Sequence, residues 1–295
     1  MHRIEYLAPR SWIEALAMTS DRPEADPLAG GTDILVQMKE KERSIKTLLS
    51  LKRIPEAHRL RFDDGMLTLG AAVTVGRISI DERIQQNFTA LAMGAGLIGS
   101  IQIRNMATVG GNICNASPSA DTAPPLLVFR AQAVIANAQA ERIVPLESFF
   151  AGPGRTALQP ADLLTAIVVP QLPDHSGSFY IRHTPRAWMD IAVVGIAAAI
   201  TLAPDDTILD AQLALGAVAP IPMRAKQAEA LLRAQFPTDY LLREVGRVAA
   251  QEAQPIDDLR ASAEYRRHLV SVLTQRALRG AVANARRNGA SGNGL

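Results

Sequence analysis

Two pairs of adjacent glycines set the strongest constraint on this chain. The first lies in Leu28-Ala-Gly-Gly-Thr-Asp-Ile34 and the second in Thr108-Val-Gly-Gly-Asn112. Without a Cβ, glycine reaches positive φ and lets a backbone come close to a ligand. The amides that such a turn exposes form a concave, partly positive nest suited to phosphate oxygens. Either pair alone reads as a tight turn at a strand end. Two pairs, each followed by polar residues (Thr32 and Asp33; Asn112, Asn115 and Ser117), read as two sides of one diphosphate site if the fold brings them together.

Around these pairs the pattern is that of an α+β chain. Trp12, Ile13, Leu16 and Ala17 fall at helical spacing behind Ser11, a good N-cap. A strand at 27–29 delivers the first glycine pair, residues 34–38 form a short helix or bend, and 47–51 form a strand. Residues 1–55 are therefore expected to be a small β-α-β subdomain. If Thr32 to Ile34 open a helix, its first amides add to the anion site. Asp63-Asp-Gly65, flanked by alternating apolar residues, predicts a hairpin. Residues 79–86 and 88–99 are predicted helical and 101–104 a strand. Gly94-Ala-Gly-Leu-Ile-Gly99 is a literal G-x-G-x-x-G, but it stands inside a helix instead of opening one after a strand. Its glycines are read as positions of close packing.

Asp121 or Thr122, ahead of Ala-Pro-Pro, starts a helix, which makes Asp121 a candidate N-cap. Residues 133–136 and 142–145 pair as a hairpin, 152–156 form a loop, 161–164 a helical turn and 166–169 a strand. The Pro- and Gly-rich stretch 173–178 marks a domain boundary. Beyond it, strands at 179–182, 190–202 and 211–218 precede helices at 225–234, 239–253 and 262–285, an α+β layer.

At 295 residues there is room for two domains. A net charge of +2 and 4% aromatic residues offer neither the basic surface nor the stacking platforms of a nucleic-acid binder. The longest apolar run, 191–203, falls short of the roughly 20 residues that span a bilayer. The N-terminus lacks the apolar core of a signal peptide, so a cytoplasmic location is expected. The single cysteine, Cys114, cannot form an intrachain disulfide or supply the thiolates of an iron–sulfur cluster. The five histidines show no metal-ligand spacing. No nucleophile elbow and no P-loop is present.

Ala29-Gly-Gly-Thr-Asp33, Ile103-Arg-Asn-Met-Ala-Thr-Val-Gly-Gly-Asn112 and Ser117-Pro-Ser-Ala-Asp121 resemble the flavin motifs of the FAD-binding medium subunits of the molybdenum hydroxylases. That family includes xanthine dehydrogenase and aerobic carbon monoxide dehydrogenase. Arg186-Ala-Trp-Met-Asp-Ile-Ala192, Leu215-Gly-Ala-Val-Ala-Pro220 with Arg224, and Ala263-Glu-Tyr-Arg-Arg-His-Leu269 resemble its C-terminal domain. The likeness covers nearly the whole chain.

The resemblance implies an α+β fold with a two-subdomain, PCMH-type FAD-binding domain over 1–173, divided into about 1–55 and 56–173. A smaller C-terminal α+β domain with an antiparallel sheet and helices follows over 178–287; the small and polar residues of 288–295 are themselves read as a disordered tail. It implies FAD held by Leu28, Ala29, Gly30, Gly31, Thr32, Asp33 and Ile34, and by Thr108, Val109, Gly110, Gly111 and Asn112, with backbone amides on the pyrophosphate. Asp121 is implied to accept from ribityl or ribose hydroxyls. Ile98 and Leu164 match apolar flavin contacts, although both equally suit a core. Arg182 stands where xanthine dehydrogenases carry a lysine near the flavin, and is either a cation at the reduced ring or a surface arginine.

No catalytic residue and no metal site is expected in this chain, as suits a carrier whose cofactor brings the chemistry. Neither glycine loop holds a histidine and Cys114 lies past its turn, so the FAD is expected to be non-covalent. The molybdenum cofactor and two 2Fe–2S clusters are implied on a large and a small partner subunit, in a dimer of heterotrimers. Electrons then leave the FAD for a small-molecule acceptor. The alternatives are a self-contained FAD oxidase or dehydrogenase, and a non-enzymatic nucleotide-binding scaffold.

Overall fold

The computed structural model describes residues 4–40, 44–186 and 189–292. From the N-terminus come β1 (Glu5–Leu7), α1 (Trp12–Asp21), β2 (Asp26–Leu28), α2 (Ile34–Lys39) and β3 (Thr47–Ser50). A hairpin of β4 (Leu60–Asp63) and β5 (Met66–Gly70) follows. The helical middle comprises α3 (Val75–Ile80), α4 (Glu82–Asn87), α5 (Thr89–Gly96), α6 (Ile101–Arg104), α7 (Val109–Cys114) and α8 (Ala123–Val128). Next are β6 (Gln132–Ala136), β7 (Glu141–Pro145), β8 (Phe150–Gly152), β9 (Arg155–Thr156) and β10 (Leu163–Pro170). The chain closes with β11 (Ser176–His183), β12 (Val194–Leu202), β13 (Ile208–Gly216), β14 (Met223–Arg224), α9 (Lys226–Ala230), α10 (Asp239–Glu252) and α11 (Ala263–Gly292). These form two compact units: residues 1–77, 100–116 and 131–170, and residues 78–99, 117–130 and 171–295.

In the first unit, β1, β3 and β2 make a parallel sheet in that order. Ser11 caps α1 as its sequence predicts, its hydroxyl oxygen accepting from the Glu14 amide at 3.2 Å. Buried Ala15, Leu49 and Ile54 fill the space beneath. The second sheet is antiparallel, in the order β4-β5-β10-β6-β7. Its predicted hairpin is present: Asp63 pairs with Met66, and Asp64 and Gly65 both take positive φ (46° and 71°), the combination of a type I′ turn.

Two local expectations change here. Residues 161–164 are not a helical turn. The buried Asp162 carboxylate accepts from the Gln159 amide at 2.7 Å, from Asn137 Nδ2 at 3.0 Å and from Arg142 Nη2 at 2.7 Å. That closes a turn from which β10 departs at Leu163. The loop expected at 152–156 is a small two-stranded pairing of β8 and β9.

In the second unit, β11-β12-β13-β14 form an antiparallel sheet. Alternation gives it two unlike faces. Ile196, Ala198, Ile200, Leu213 and Leu215 join a buried cluster with Val245 of α10 and Leu278 of α11. The opposite face bears small and polar residues, among them Ser178, Tyr180, Arg182 and Gly195. Ser178 Oγ accepts from the Ala90 amide at the start of α5 (3.1 Å), so α5 lies on this face.

The helix expected over 79–86 is broken by Asp81, whose carboxylate accepts from the Arg83 and Ile84 amides and begins α4. The strand expected at 101–104 is α6, because Ser100 Oγ accepts from the Ile103 amide and caps a helical turn. Within the G-x-G-x-x-G stretch, a Cβ on Gly94 would overlap the Asp121 carbonyl oxygen, so the close-packing reading of that glycine holds. At the C-terminus α11 runs through Gly292, and Asn288 Nδ2 donates to the Ser176 carbonyl at 2.8 Å. The first part of the expected disordered tail is thus helical, while 293–295 lie outside the described residues.

Candidate cofactor site

In the first unit, β2 ends at buried Leu28, whose carbonyl accepts from the Leu51 amide at 2.9 Å. The chain then turns through Ala29, Gly30 and Gly31, with Gly31 at φ 81°, before Asp33 leads into α2. Gly30 is pressed against the peptide between Met106 and Ala107, where any Cβ would overlap the Met106 carbonyl oxygen. The two glycine motifs are therefore in direct contact, just ahead of Thr108. Asn115 at the end of α7 adds a second tie. Its Nδ2 donates to Asp33 Oδ1 and its Oδ1 accepts from Gln37 Nε2, both at 3.4 Å.

The amides of the two motifs differ. Among the described residues, those of Gly30, Gly31, Thr32, Asp33 and Ile34 find no acceptor in the protein. Of these five residues only Gly30 is buried; Gly31, Thr32 and Ile34 are half-buried and Asp33 is exposed, so the turn has donors to offer a ligand at the surface. In the second motif the Val109 amide donates to the Val73 carbonyl and the Gly110 amide to the Ala71 carbonyl, both at 3.0 Å. The Gly111 amide donates to Thr108 Oγ1 at 3.1 Å and the Asn112 amide to the Thr108 carbonyl at 2.9 Å. This pair is the first turn of α7, capped by Thr108, and neither glycine has positive φ. The expected nest at Gly110-Gly111 is corrected accordingly: the Gly110 amide ties α7 to Ala71, the Gly111 amide is taken by the Thr108 cap, and only the Thr108 amide of this motif is left without an acceptor among the described residues. What glycine supplies at 110 is close approach, since a Cβ there would lie 2.5 Å from the Ala71 carbonyl oxygen.

Leu164, also in this unit, is buried in β10 opposite Ile135 of β6, as a core residue is. Cys114 closes α7, half-buried, and the burial of its thiol pushes it up to about 12.

The second unit holds the remaining expected residues. Ile98 is half-buried just past α5. Asp121 is 6% exposed and does not cap α8, whose N-cap is Thr122. Its carboxylate is engaged instead by two residues of β11. Tyr180 Oη donates to Oδ1 at 2.7 Å, and Arg182 Nη1 donates to Oδ2 in a short ion pair. Arg182 is consequently no surface arginine: its side chain is 6% exposed and its charge faces Asp121. Burial pushes the Asp121 carboxyl up, against the pull of the Arg182 charge and of the two hydrogen bonds. Burial, then the Asp121 charge, push the Tyr180 phenol well above its usual range, which keeps it a hydrogen-bond donor. Tyr180 is the member of this cluster that the sequence reading passes over. Its place two residues before Arg182 in a strand, on the same face, is the available signal.

Each unit, taken by itself, offers groups of a kind that a dinucleotide uses. Unpartnered amides beside a positive-φ glycine suit phosphate oxygens. A buried carboxylate with lone pairs to spare suits a sugar hydroxyl. Residues 2–172 match the family described as the FAD binding domain in molybdopterin dehydrogenase, and 179–281 match the CO dehydrogenase flavoprotein C-terminal domain. The chain belongs to the FAD-binding medium-subunit family of the molybdenum hydroxylases. It is 34% identical to the xanthine dehydrogenase FAD-binding subunit of Escherichia coli O157:H7, over 96% of both chains. It is 30% identical to the glyceraldehyde dehydrogenase medium chain of Sulfolobus acidocaldarius, over 93% of this chain and 96% of that one. Among solved structures, a chain of carbon monoxide dehydrogenase from Hydrogenophaga pseudoflava superposes with a TM-score of 0.92 at 30% identity, over 96% of this chain and 98% of that one. This family member is thus an oxidoreductase subunit with an FAD-binding domain and a C-terminal flavoprotein domain. Among the described residues no group of three or more His, Cys, Asp or Glu side chains is placed to hold a metal ion.

Proposed function

We propose that this chain carries non-covalent FAD as the electron-transfer subunit of a molybdenum hydroxylase, taking electrons from 2Fe–2S clusters of a partner and delivering them to an external small-molecule acceptor. The observation that carries the reading is the run of unpartnered amides from Gly30 to Ile34. FAD, when bound, supplies the redox chemistry, and the protein supplies binding, orientation and electrostatics.

The amides of Gly30 to Ile34 bind the pyrophosphate, and Leu28 and Ala29 fix where that turn begins. The segment that runs into Thr108, Val109, Gly110, Gly111 and Asn112 backs this turn where Met106 meets Gly30, with the Thr108 amide free to join it. Asp121 accepts a ribityl or ribose hydroxyl on a lone pair that Tyr180 and Arg182 leave open. Arg182 acts through Asp121, since its charge is already matched. Ile98 and Leu164 give apolar support to the flavin. Neither glycine loop holds a histidine and Cys114 lies past its turn, which favours reversible over covalent attachment.

The molybdenum cofactor and the clusters belong to a large and a small partner subunit, in a dimer of heterotrimers. The naming of relatives as medium chains supports this. A cytoplasmic location is in keeping with the described residues, among which no helix is long and apolar enough to cross a membrane.

The test is a visible spectrum of the purified full chain before and after acid precipitation. The expected result is a flavin spectrum whose chromophore leaves as FAD in the supernatant. Substrate should reduce that FAD only when the molybdenum and iron–sulfur partners are also present. A folded, colourless chain that ignores added FAD contradicts the proposal.

A further inference from the structure

We infer that Tyr180 is a positioning residue for Asp121, and that Gly195 is the position in the sheet that allows it to be one. The inference rests on the FAD reading above and concerns how this chain holds the carboxylate that meets the ligand. Tyr180 is 2% exposed, among the largest fully buried side chains of the protein. A phenol in such a place ordinarily finds a partner for its hydroxyl. Here that partner is Asp121 Oδ1, at 2.7 Å.

The register explains how the hydroxyl gets there. On the β11–β12 ladder Tyr180 faces Ala197 and Arg182 faces Gly195. Tyr180 therefore leans along the strands to the diagonal neighbour, a reach that aromatic side chains make across a sheet. A Cβ on Gly195 would lie 2.5 Å from Tyr180 Oη and 3.3 Å from Cζ. The conflict is mainly with the hydroxyl, and the hydroxyl is held by Asp121. Glycine inside an apolar strand often marks such a close approach.

Each oxygen of Asp121 then has one fixed donor, Tyr180 on Oδ1 and Arg182 on Oδ2. Two donors at two oxygens fix the plane of the carboxyl group as well as its place. Gly94 of α5 fixes the same residue from behind, since only a residue without Cβ fits against the Asp121 carbonyl. An acceptor held this way presents its remaining lone pairs in one direction.

The experiment compares the full-length wild type with Y180F, G195A and the Y180F/G195A double variant. Three quantities are read: FAD affinity by titration of the apo-protein, visible circular dichroism of the bound flavin, and thermal unfolding of the apo-protein. Losing one buried hydrogen bond to a charged partner should weaken FAD about tenfold in Y180F. G195A should weaken it at least as much by displacing the hydroxyl. In the Y180F background, where the clashing oxygen is gone, G195A should add less than twofold. Both single variants should alter the flavin dichroism in the same way, which a change in fold stability alone does not do. Y180F binding FAD with wild-type affinity and spectrum would overturn the inference. So would a G195A penalty that persists undiminished in Y180F. A folded wild type that takes no FAD sinks the underlying reading instead, and this inference with it.

Discussion

Gly30-Gly31 and Gly110-Gly111 belong to segments that meet in the first unit, where Gly30 packs on the Met106–Ala107 peptide, yet their amides do different work. Around Gly31 the backbone takes positive φ, and the amides from Gly30 to Ile34 point at no acceptor among the described residues. Around Gly110 the backbone is helical, and the amides of Val109 to Asn112 all donate within the fold. The first pair offers hydrogen-bond donors to a ligand. The second lets α7 approach Ala71 closely, while Met106 and Ala107 just ahead of it back the first. A glycine pair alone therefore does not identify a phosphate cradle; the fate of the amides does.

Substitutions can break this comparison or sharpen it. The largest effect is expected from Gly30→Ala, because its Cβ would overlap the Met106 carbonyl and prise the cradle from its support. The protein should purify folded but with almost no flavin, read as the flavin-to-protein absorbance ratio; normal flavin content would break the comparison outright. Next comes Gly110→Ala, whose Cβ would meet Ala71. Overpacking of this kind costs about 1–3 kcal/mol, to be measured by urea unfolding. FAD affinity of the folded protein should stay within about twofold of wild type, well under the tenfold that 1.4 kcal/mol represents. If both glycines cost affinity alike, the two motifs are not different after all.

Gly31→Ala places a Cβ at φ 81° and strains the turn by about 1–2 kcal/mol. That strain should appear as weaker FAD binding in a titration, more than as a lower midpoint of unfolding. Thr108→Ala is expected to be the mildest. It removes the oxygen that caps α7 and costs about 1 kcal/mol of stability. Calorimetry should register that loss, with Thr108→Ser restoring most of it and FAD affinity unmoved in both.

Where local chemistry decides the structure, the sequence is legible. Ser11 announces α1, and Asp64-Gly65 announces the β4–β5 hairpin, because cap and turn preferences act over a few residues. The long apolar runs of β12 and β13 are equally plain as a buried strand pair. Ile101 and Ile103 alternate like a strand, but a four-residue element offers no period to measure, and the Ser100 cap outweighs the alternation. Asp162 looks like a helix-forming position until its partners Arg142 and Asn137, distant in the chain, are known.

The candidate site divides in the same way. Both glycine pairs and Asp121 stand out in the sequence. The hydrogen-bond partners of the amides do not, since Ala71 and Val73 have no distinguishing side chain. Tyr180 and the pairing of Arg182 with Asp121 depend on contacts between residues about 60 positions apart. Besides the spacing of Tyr180 and Arg182 on one strand face, the sequence offers only Gly195 as a hint, a glycine within a largely apolar strand.

Amide hydrogen exchange of the full chain, with and without FAD, tests the central claim most directly. Exchange follows the hydrogen bonding and local opening of each amide. The account predicts fast exchange at residues 30–34 in the apo-protein and strong protection there once FAD is added. Residues 109–112 should be protected in both states. Unchanged exchange at 30–34 on saturation with FAD, with new protection confined to 109–112, would contradict it.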